Sequence, residues 1–193
     1  MLRVIAVRTG TKYSQWYVDN LKYMIDNYSN LKYDKFEVLT ENNYETVFNK
    51  LNMFKYFKDG QNIYFDLDIL IKGDCNHLLR SHLTTCHAWW RKKYHTPLNS
   101  SVISWKGDFS HIYNFFNKDP EYYMFKYNKG IDQFLYENFK IHRYQKFDGI
   151  QSFNYLKTDY NNFKVILFNQ KYEVMHQEGW WTSYFLQQSQ QQI

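Results

Sequence analysis

Residues 62–74 run Asn62-Ile63-Tyr64-Phe65-Asp66-Leu67-Asp68-Ile69-Leu70-Ile71-Lys72-Gly73-Asp74. The apolar, aromatic and β-branched start reads as a strand that delivers two carboxylates, followed at once by a second β-rich run. In an extended segment side chains alternate, so Asp66 and Asp68 fall on one side and can converge on a single hard cation. A D-x-D string arises by chance about once in a chain of this length and composition. Its setting is more informative, because the carboxyl edge of an open α/β sheet is where such proteins place ligands. The alternative is a solvated loop with two ordinary surface aspartates.

Working outward toward the N-terminus, Arg3 to Val7 is an apolar run that stops at the turn Arg8-Thr9-Gly10-Thr11. From about Tyr13 to Tyr28, apolar residues recur at Tyr17, Leu21, Met24 and Tyr28, which is one helical face. Lys35 to Thr40 reads as a second strand, and Tyr44 to Phe57 as a helix burying Val47, Leu51 and Phe54. Strand and helix alternate, which predicts an α/β fold with a largely parallel sheet. Toward the C-terminus, strands are expected at 86–90, 101–105 and 165–168 and helices at 109–117 and 131–139. A single domain is expected over 1–186, followed by a polar Gln-rich tail at 187–193.

Composition narrows the possibilities. The 193 residues include 19 Tyr, 16 Phe and 6 Trp but only 7 Gly and 2 Pro, which argues against disorder and linker-rich arrays. Two cysteines, Cys75 and Cys86, exclude a disulfide scaffold. No apolar run reaches the roughly 18 residues of a membrane span, and Met1-Leu2-Arg3 does not open a signal peptide. A cytoplasmic location is the expectation, the host cytoplasm if the abundant Lys, Asn, Tyr and Ile reflect an AT-rich viral genome. The net charge is +5, carried by 19 Lys and only 5 Arg. A sequence-specific DNA reader would be expected to use more Arg, and a mild positive field attracts small phosphorylated molecules equally well.

Other groups carry less chemistry. Cys75, His77, His82, Cys86 and His87 lack the paired spacing of a zinc site. Trp89-Trp90-Arg91-Lys92-Lys93 could stack on nucleic acid or on a sugar, or form a strand edge beside a solvated charge run, the last being favoured. The strand–Arg8-Thr9-Gly10–helix opening suits a nucleotide, yet with a single Gly it is neither a dinucleotide fingerprint nor a P-loop.

Taken together, VIAVRTGTKY (4–13), YVDNL (17–21), FNKLNMFKYF (48–57), YFDLDILIKGD (64–74), LNSSVISW (98–105), GIDQFLYENF (130–139) and VILFNQKYEVMHQEGWW (165–181) resemble a compact GT-A type glycosyltransferase. The similarity is to phage- and bacteria-like relatives of the retaining galactosyl- and glucosyltransferases of the glycogenin group. The resemblance implies a Rossmann-like GT-A fold, a mixed but mostly parallel sheet flanked by helices. It further implies transfer of a sugar from a nucleoside-diphosphate donor, with UDP the expected base carrier, to a glycan, lipid-linked or protein acceptor. Neither nucleic acid nor a membrane span enters that expectation.

Residue by residue, the resemblance implies that Asp66 and Asp68 hold Mn²⁺ or Mg²⁺ across the donor's diphosphate. Val7, Arg8, Thr9 and Tyr13 would line the base and ribose pocket, and Lys50 would lie near the diphosphate. Asn99 and Ser100 match a turn that approaches the donor sugar, with Ser101 replacing the family's Gly. Asp132 and Gln133 match the catalytic pair opposite the transferred sugar, although Asp132 could equally be a helix N-cap. The family's metal-binding His after the last strand is Asn169 here. His176, in a His-x-x-Gly string, is the preferred third metal ligand, with Asn169 left as a diphosphate contact or substitute ligand. Two alternatives stand beside transfer: a non-catalytic nucleotide or glycan binder, and a basic nucleic-acid-binding protein.

Overall fold

The computed structural model describes residues 1–44, 46–92, 95–153 and 163–169. Its main sheet has six strands in the order β2-β1-β3-β6-β5-β7, namely β1 (Leu2–Val7), β2 (Lys35–Leu39), β3 (Gln61–Phe65), β5 (Thr84–His87), β6 (Leu98–Lys106) and β7 (His142–Tyr144). Every pairing is parallel except those made by β6, which runs against both β3 and β5. A smaller sheet, order β4-β9-β8, joins β4 (Ile69–Ile71), β8 (Ile150–Ser152) and β9 (Val165–Leu167). The result is the mixed, mostly parallel α/β arrangement that the alternation of strands and helices predicts.

The alternation of side chains on the central strands builds two cores. On β1 and β3, Val4, Ala6, Ile63 and Phe65 face α1 (Gln15–Tyr28) and the small sheet, meeting Leu21, Met24 and Ile71. Ile5 and Tyr64 face the other way, toward Phe54, Trp105 and Phe134. That second core is largely aromatic: Phe134 of α5 (Ile131–Asn138) lies edge-on to Phe116, Tyr123, Tyr127 and Phe139, at 5.6–5.7 Å between ring centroids. Much of the aromatic content is therefore core, each such ring adding about 0.5–1.5 kcal/mol per favourable pair beyond its burial.

Several local expectations shift. The helix expected over 44–57 is a 3-10 turn, Thr46–Leu51, leading into the short α2 (Asn52–Tyr56). Asn49 explains the change: its side chain accepts from Tyr44 N at 2.9 Å and donates to Tyr44 O at 2.6 Å, offering the backbone an alternative to regular helical bonds. The strand expected at 86–90 ends at His87, because Ala88 N bonds Pro97 O and Arg91 N bonds Ala88 O, turning the chain back. The strand expected at 101–105 begins earlier, at Leu98. The expected helices at 109–117 and 131–139 appear as α3 (Ser110–Phe116) and α5. The strands β7 and β8 and the helix α4 (Pro120–Lys126) add to the elements expected from the sequence. The tail at 187–193 lies outside the described residues.

Candidate active site at the carboxyl end of the sheet

Asp66 follows β3 directly and is tied to β6 by its N–H, which donates to Ser101 O at 2.8 Å. Its carboxylate is gripped from two sides. Lys50 Nζ lies 2.6 Å from Oδ1, with only 12% of the lysine side chain and 17% of the aspartate side chain exposed. The Tyr64 hydroxyl donates to the same oxygen, and Lys50 also sits 5.3 Å from the centroid of the Tyr64 ring. Asp68 is more deeply buried, and its backbone O accepts from Phe168 N at 3.3 Å, which brings β9 and Asn169 to its side.

The charges of these carboxylates act on common neighbours. Burial alone would lower the pKa of the Lys50 ammonium, but Asp66, Asp132 and Asp68 outweigh it and the net shift is upward. The lysine is therefore charged throughout the neutral range; this contribution to stability is fully present below pH 10.5 and is lost only as pH rises through the raised value. Tyr13 is pushed well up, first by burial and then by the charges of Asp68 and Asp66. Tyr64 rises for the same two kinds of reason, burial foremost.

Asp132 acts on the same ammonium. It lies in the first turn of α5, but the N-cap position is Gly130, with φ 105°, so the capping alternative does not hold. Its Oδ1 accepts from Ser100 N at 2.9 Å and its Oδ2 from Arg91 Nη2 at 2.7 Å. Arg91 also donates to Leu98 O. The Trp89–Lys92 run is thus neither a strand edge nor a purely solvated charge run; Arg91 was missed as a site residue, and its role is set by the turn at Ala88. Gln133 lies beside Asp132 but donates its amide to Glu137 Oε1 at 2.7 Å along the helix.

Asn99, Ser100 and Ser101 form no turn: they begin β6, opposite an irregularity where Thr85 pairs with Ile103 while Cys86 pairs with Asn99. Ser101 N donates to Asn99 Oδ1 at 3.0 Å, and Asn99 Nδ2 reaches Asn169 Oδ1 at 3.4 Å. Asn169, at φ 52°, donates to Ser152 Oγ at 2.7 Å. Val7 ends β1 at the same edge of the sheet and Arg8 and Thr9 follow it, with Arg8 N bonded to Leu39 O at 2.8 Å. His176 lies outside the described residues.

An open cleft of about 1010 Å³ adjoins Asp132, lined among others by His87, Trp89, Arg91, Gln133 and Tyr136. The Trp89 indole N–H is buried and has no hydrogen-bond partner among the described residues. Among the described residues no three His, Cys, Asp or Glu side chains gather as a metal cage. The donors at hand are the carboxylates of Asp66 and Asp68, with the Asn169 amide beside them. That all-oxygen set fits a hard divalent cation that keeps other positions for water or phosphate oxygens. The cysteines play no part: burial raises Cys75 above its ordinary value of 9.0 to about 12, and it raises Cys86 further still. Native protein at pH 8 is accordingly expected to leave both thiols unreacted with a disulfide reagent, and both should titrate rapidly in denaturant; rapid labelling of native protein would contradict their burial.

No protein-family model and no curated protein sequence matches the chain. Solved structures do. The glycosyltransferase GlyE of Streptococcus pneumoniae TIGR4 superposes with a TM-score of 0.54 at 10% identity over 75% of this chain, and its apo form with 0.58 at 8% over 96%. A glycosyltransferase involved in the glycosylation of the major capsid of PBCV-1 gives 0.59 at 9% identity, covering 91% of this chain and 97% of that one.

The chain has the GT-A fold. An active-site mutant of LgtC, at 0.57 and 12% identity, covers 86% of both chains. This chain spans only 45% and 63% of the two pneumococcal structures. At such identities the likeness speaks for the GT-A architecture alone.

Proposed function

We propose that this GT-A chain is a glycosyltransferase, moving a sugar from a nucleoside-diphosphate donor, with UDP the expected nucleotide, to a glycan, lipid-linked or protein acceptor. The observation that carries this reading is the buried Lys50–Asp66 ion pair at the carboxyl end of β3, with Asp68 and Asp132 close enough to act on the same ammonium and Asp132 lining the open cleft. Lys50 and Arg91 offset two of the three carboxylates, and the remaining negative charge suits a cation that would in turn meet a diphosphate.

In this reading Asp66 and Asp68 hold Mn²⁺ or Mg²⁺, with Asn169 or His176 as a further ligand. When bound, the metal neutralises charge on the departing diphosphate. Lys50 adds a fixed ammonium at the same place, which lowers the cost of leaving-group departure as the anomeric carbon becomes cationic. Val7, Arg8, Thr9 and Tyr13 hold base and ribose. Asp132 has each oxygen fixed by one donor, and its remaining lone pairs can accept sugar hydroxyls without the carboxylate rotating. Asn99 and Ser100 border the same sugar, and Gln133 leads into the acceptor cleft.

Calorimetry with UDP and Mn²⁺, followed by a donor hydrolysis screen over UDP-sugars, tests the proposal. Saturable binding that needs the metal, together with hydrolysis above background, is the expected result. Absence of binding by any nucleoside diphosphate with either metal would sink it. Asn169 in the usual place of a His motivates a second reading, a binder without turnover; it predicts UDP binding with no hydrolysis or transfer of any donor.

Among the described residues no helix is long and apolar enough to cross a membrane.

A further inference from the structure

We propose that Tyr64 is a positioning residue for the metal: its hydroxyl, together with Lys50, occupies Oδ1 of Asp66 and leaves Oδ2 as the single oxygen offered to the cation. The inference rests on the reading of Asp66 as a ligand for Mn²⁺ or Mg²⁺ and deepens it by stating how that ligand is aimed.

The strand sets the pairing. Tyr64 and Asp66 are two residues apart on an extended segment, so their side chains leave the same face and the phenol meets the carboxylate. Phe65, between them, packs into the opposite core. Tyr64 is held from both sides, because β3 lies between β1 and β6, where it pairs with Ile5 and Ile103. Its ring is 1% exposed and belongs to the core of Phe54 and Trp105. A tyrosine at that depth needs a partner for its hydroxyl. Tyr144, equally buried, finds a backbone carbonyl, Leu78 O at 2.6 Å, whereas Tyr64 donates to the Asp66 carboxylate.

An ionised carboxylate has about two acceptor sites on each oxygen. On Asp66 both donors, the Tyr64 hydroxyl and Lys50 Nζ, fall on Oδ1, and among the described residues no donor is on Oδ2. Exchanging the two oxygens by rotation would break both contacts. Lys50 alone would not prevent it, since an ammonium is a compact point charge on a flexible stem that can follow either oxygen. The phenol cannot follow, because the sheet holds its ring. The hydroxyl therefore fixes the orientation while Lys50 supplies the charge. With Oδ1 filled, Asp66 presents one oxygen, which suits an octahedral cation better than one that takes carboxylates by both oxygens.

Mn²⁺ binding in saturating UDP, followed by the electron paramagnetic resonance of free Mn²⁺, tests this in wild type, Y64F and Y144F. Y64F keeps the ring and loses only the hydroxyl. Y144F loses a hydroxyl of equal burial away from the site, so it measures what such a bond contributes to the fold alone. Both variants are expected to unfold at a lower midpoint without metal, but only Y64F should bind Mn²⁺ about tenfold or more weakly, the scale for removing a partner of a metal ligand. Affinity in Y64F equal to or above that of wild type would overturn the inference, as would an equal loss in Y144F. A wild type that binds no Mn²⁺ would remove the metal reading of Asp66 itself, and this inference with it. Wild type also gives a reading that needs no variant. The Tyr64 hydroxyl proton, assigned through its ring, should give a slowly exchanging NMR resonance that persists on saturation with Mg²⁺ and UDP. Its loss on saturation would mean that the hydroxyl releases Asp66, and would overturn the inference even if Y64F fails to fold.

Discussion

Asp68→Asn is expected to weaken binding of UDP with Mn²⁺ by at least ~100-fold, because even outer-shell partners of a metal ligand cost 10–100-fold when changed. Transfer or donor hydrolysis should fall by roughly 10²–10³ or more, the scale of losing one fixed electrostatic contact to the leaving group. The substitution keeps shape and volume, so metal-free stability should not fall with it. Asp68 is 6% exposed, and a carboxylate at that depth beside Asp66 costs desolvation and repulsion that Asn does not. The discriminating pattern is a denaturation midpoint at or above wild type combined with lost nucleotide binding. A variant that binds UDP with Mn²⁺ as wild type does would remove Asp68 from the site, and a variant that merely unfolds would make its role structural.

Much of this site was legible before any coordinates, but for unequal reasons. The β1–α1–β2 opening announces itself by periodicity, and the Asp66–Asp68 pair by following an apolar strand. Lys50, Asp132 and the Asn99–Ser100 segment carry no local signal of function, and only the resemblance to GT-A enzymes singled them out. Arg91 was hidden because its purpose depends on a long-range event: Ala88 N meets Pro97 O, the chain turns, and the guanidinium reaches Asp132 on a helix 41 residues away. The Asn99–Ser101 segment was misjudged as a turn because a bulge in register is invisible in a single strand's sequence. By contrast α4 was readable and unread: Asp119 accepts from Tyr122 N at 3.1 Å, and Pro120 follows it in the first turn. The strands β7 and β8 have three residues each, too few for alternation to register.

Lys50→Met separates the lysine's two roles. The ammonium holds Asp66 at 2.6 Å, with both side chains under a fifth exposed. Removing one member of such a pair strands a carboxylate beside Asp68 and Asp132, a loss expected at about 3 kcal/mol, the lower end of the range for buried pairs since some solvent contact remains. Donor turnover should drop along with stability, so activity alone cannot tell a scaffold lysine from one that faces the diphosphate. Divalent metal can. With the ammonium gone, Asp66 and Asp68 retain their charges, and Mn²⁺ should raise the unfolding midpoint of K50M more than that of wild type, because it now relieves repulsion that Lys50 formerly neutralised. Lys50→Arg should keep most of the stability while altering donor affinity, since a planar fork does not reproduce a compact ammonium beside Asp66. If Mn²⁺ restores the midpoint of K50M but not its turnover, the lysine acts on the donor as well as on the fold. Equal Mn²⁺ stabilisation of K50M and wild type would mean that Asp66 is not a metal ligand, and the pair would then be an ion pair of the scaffold.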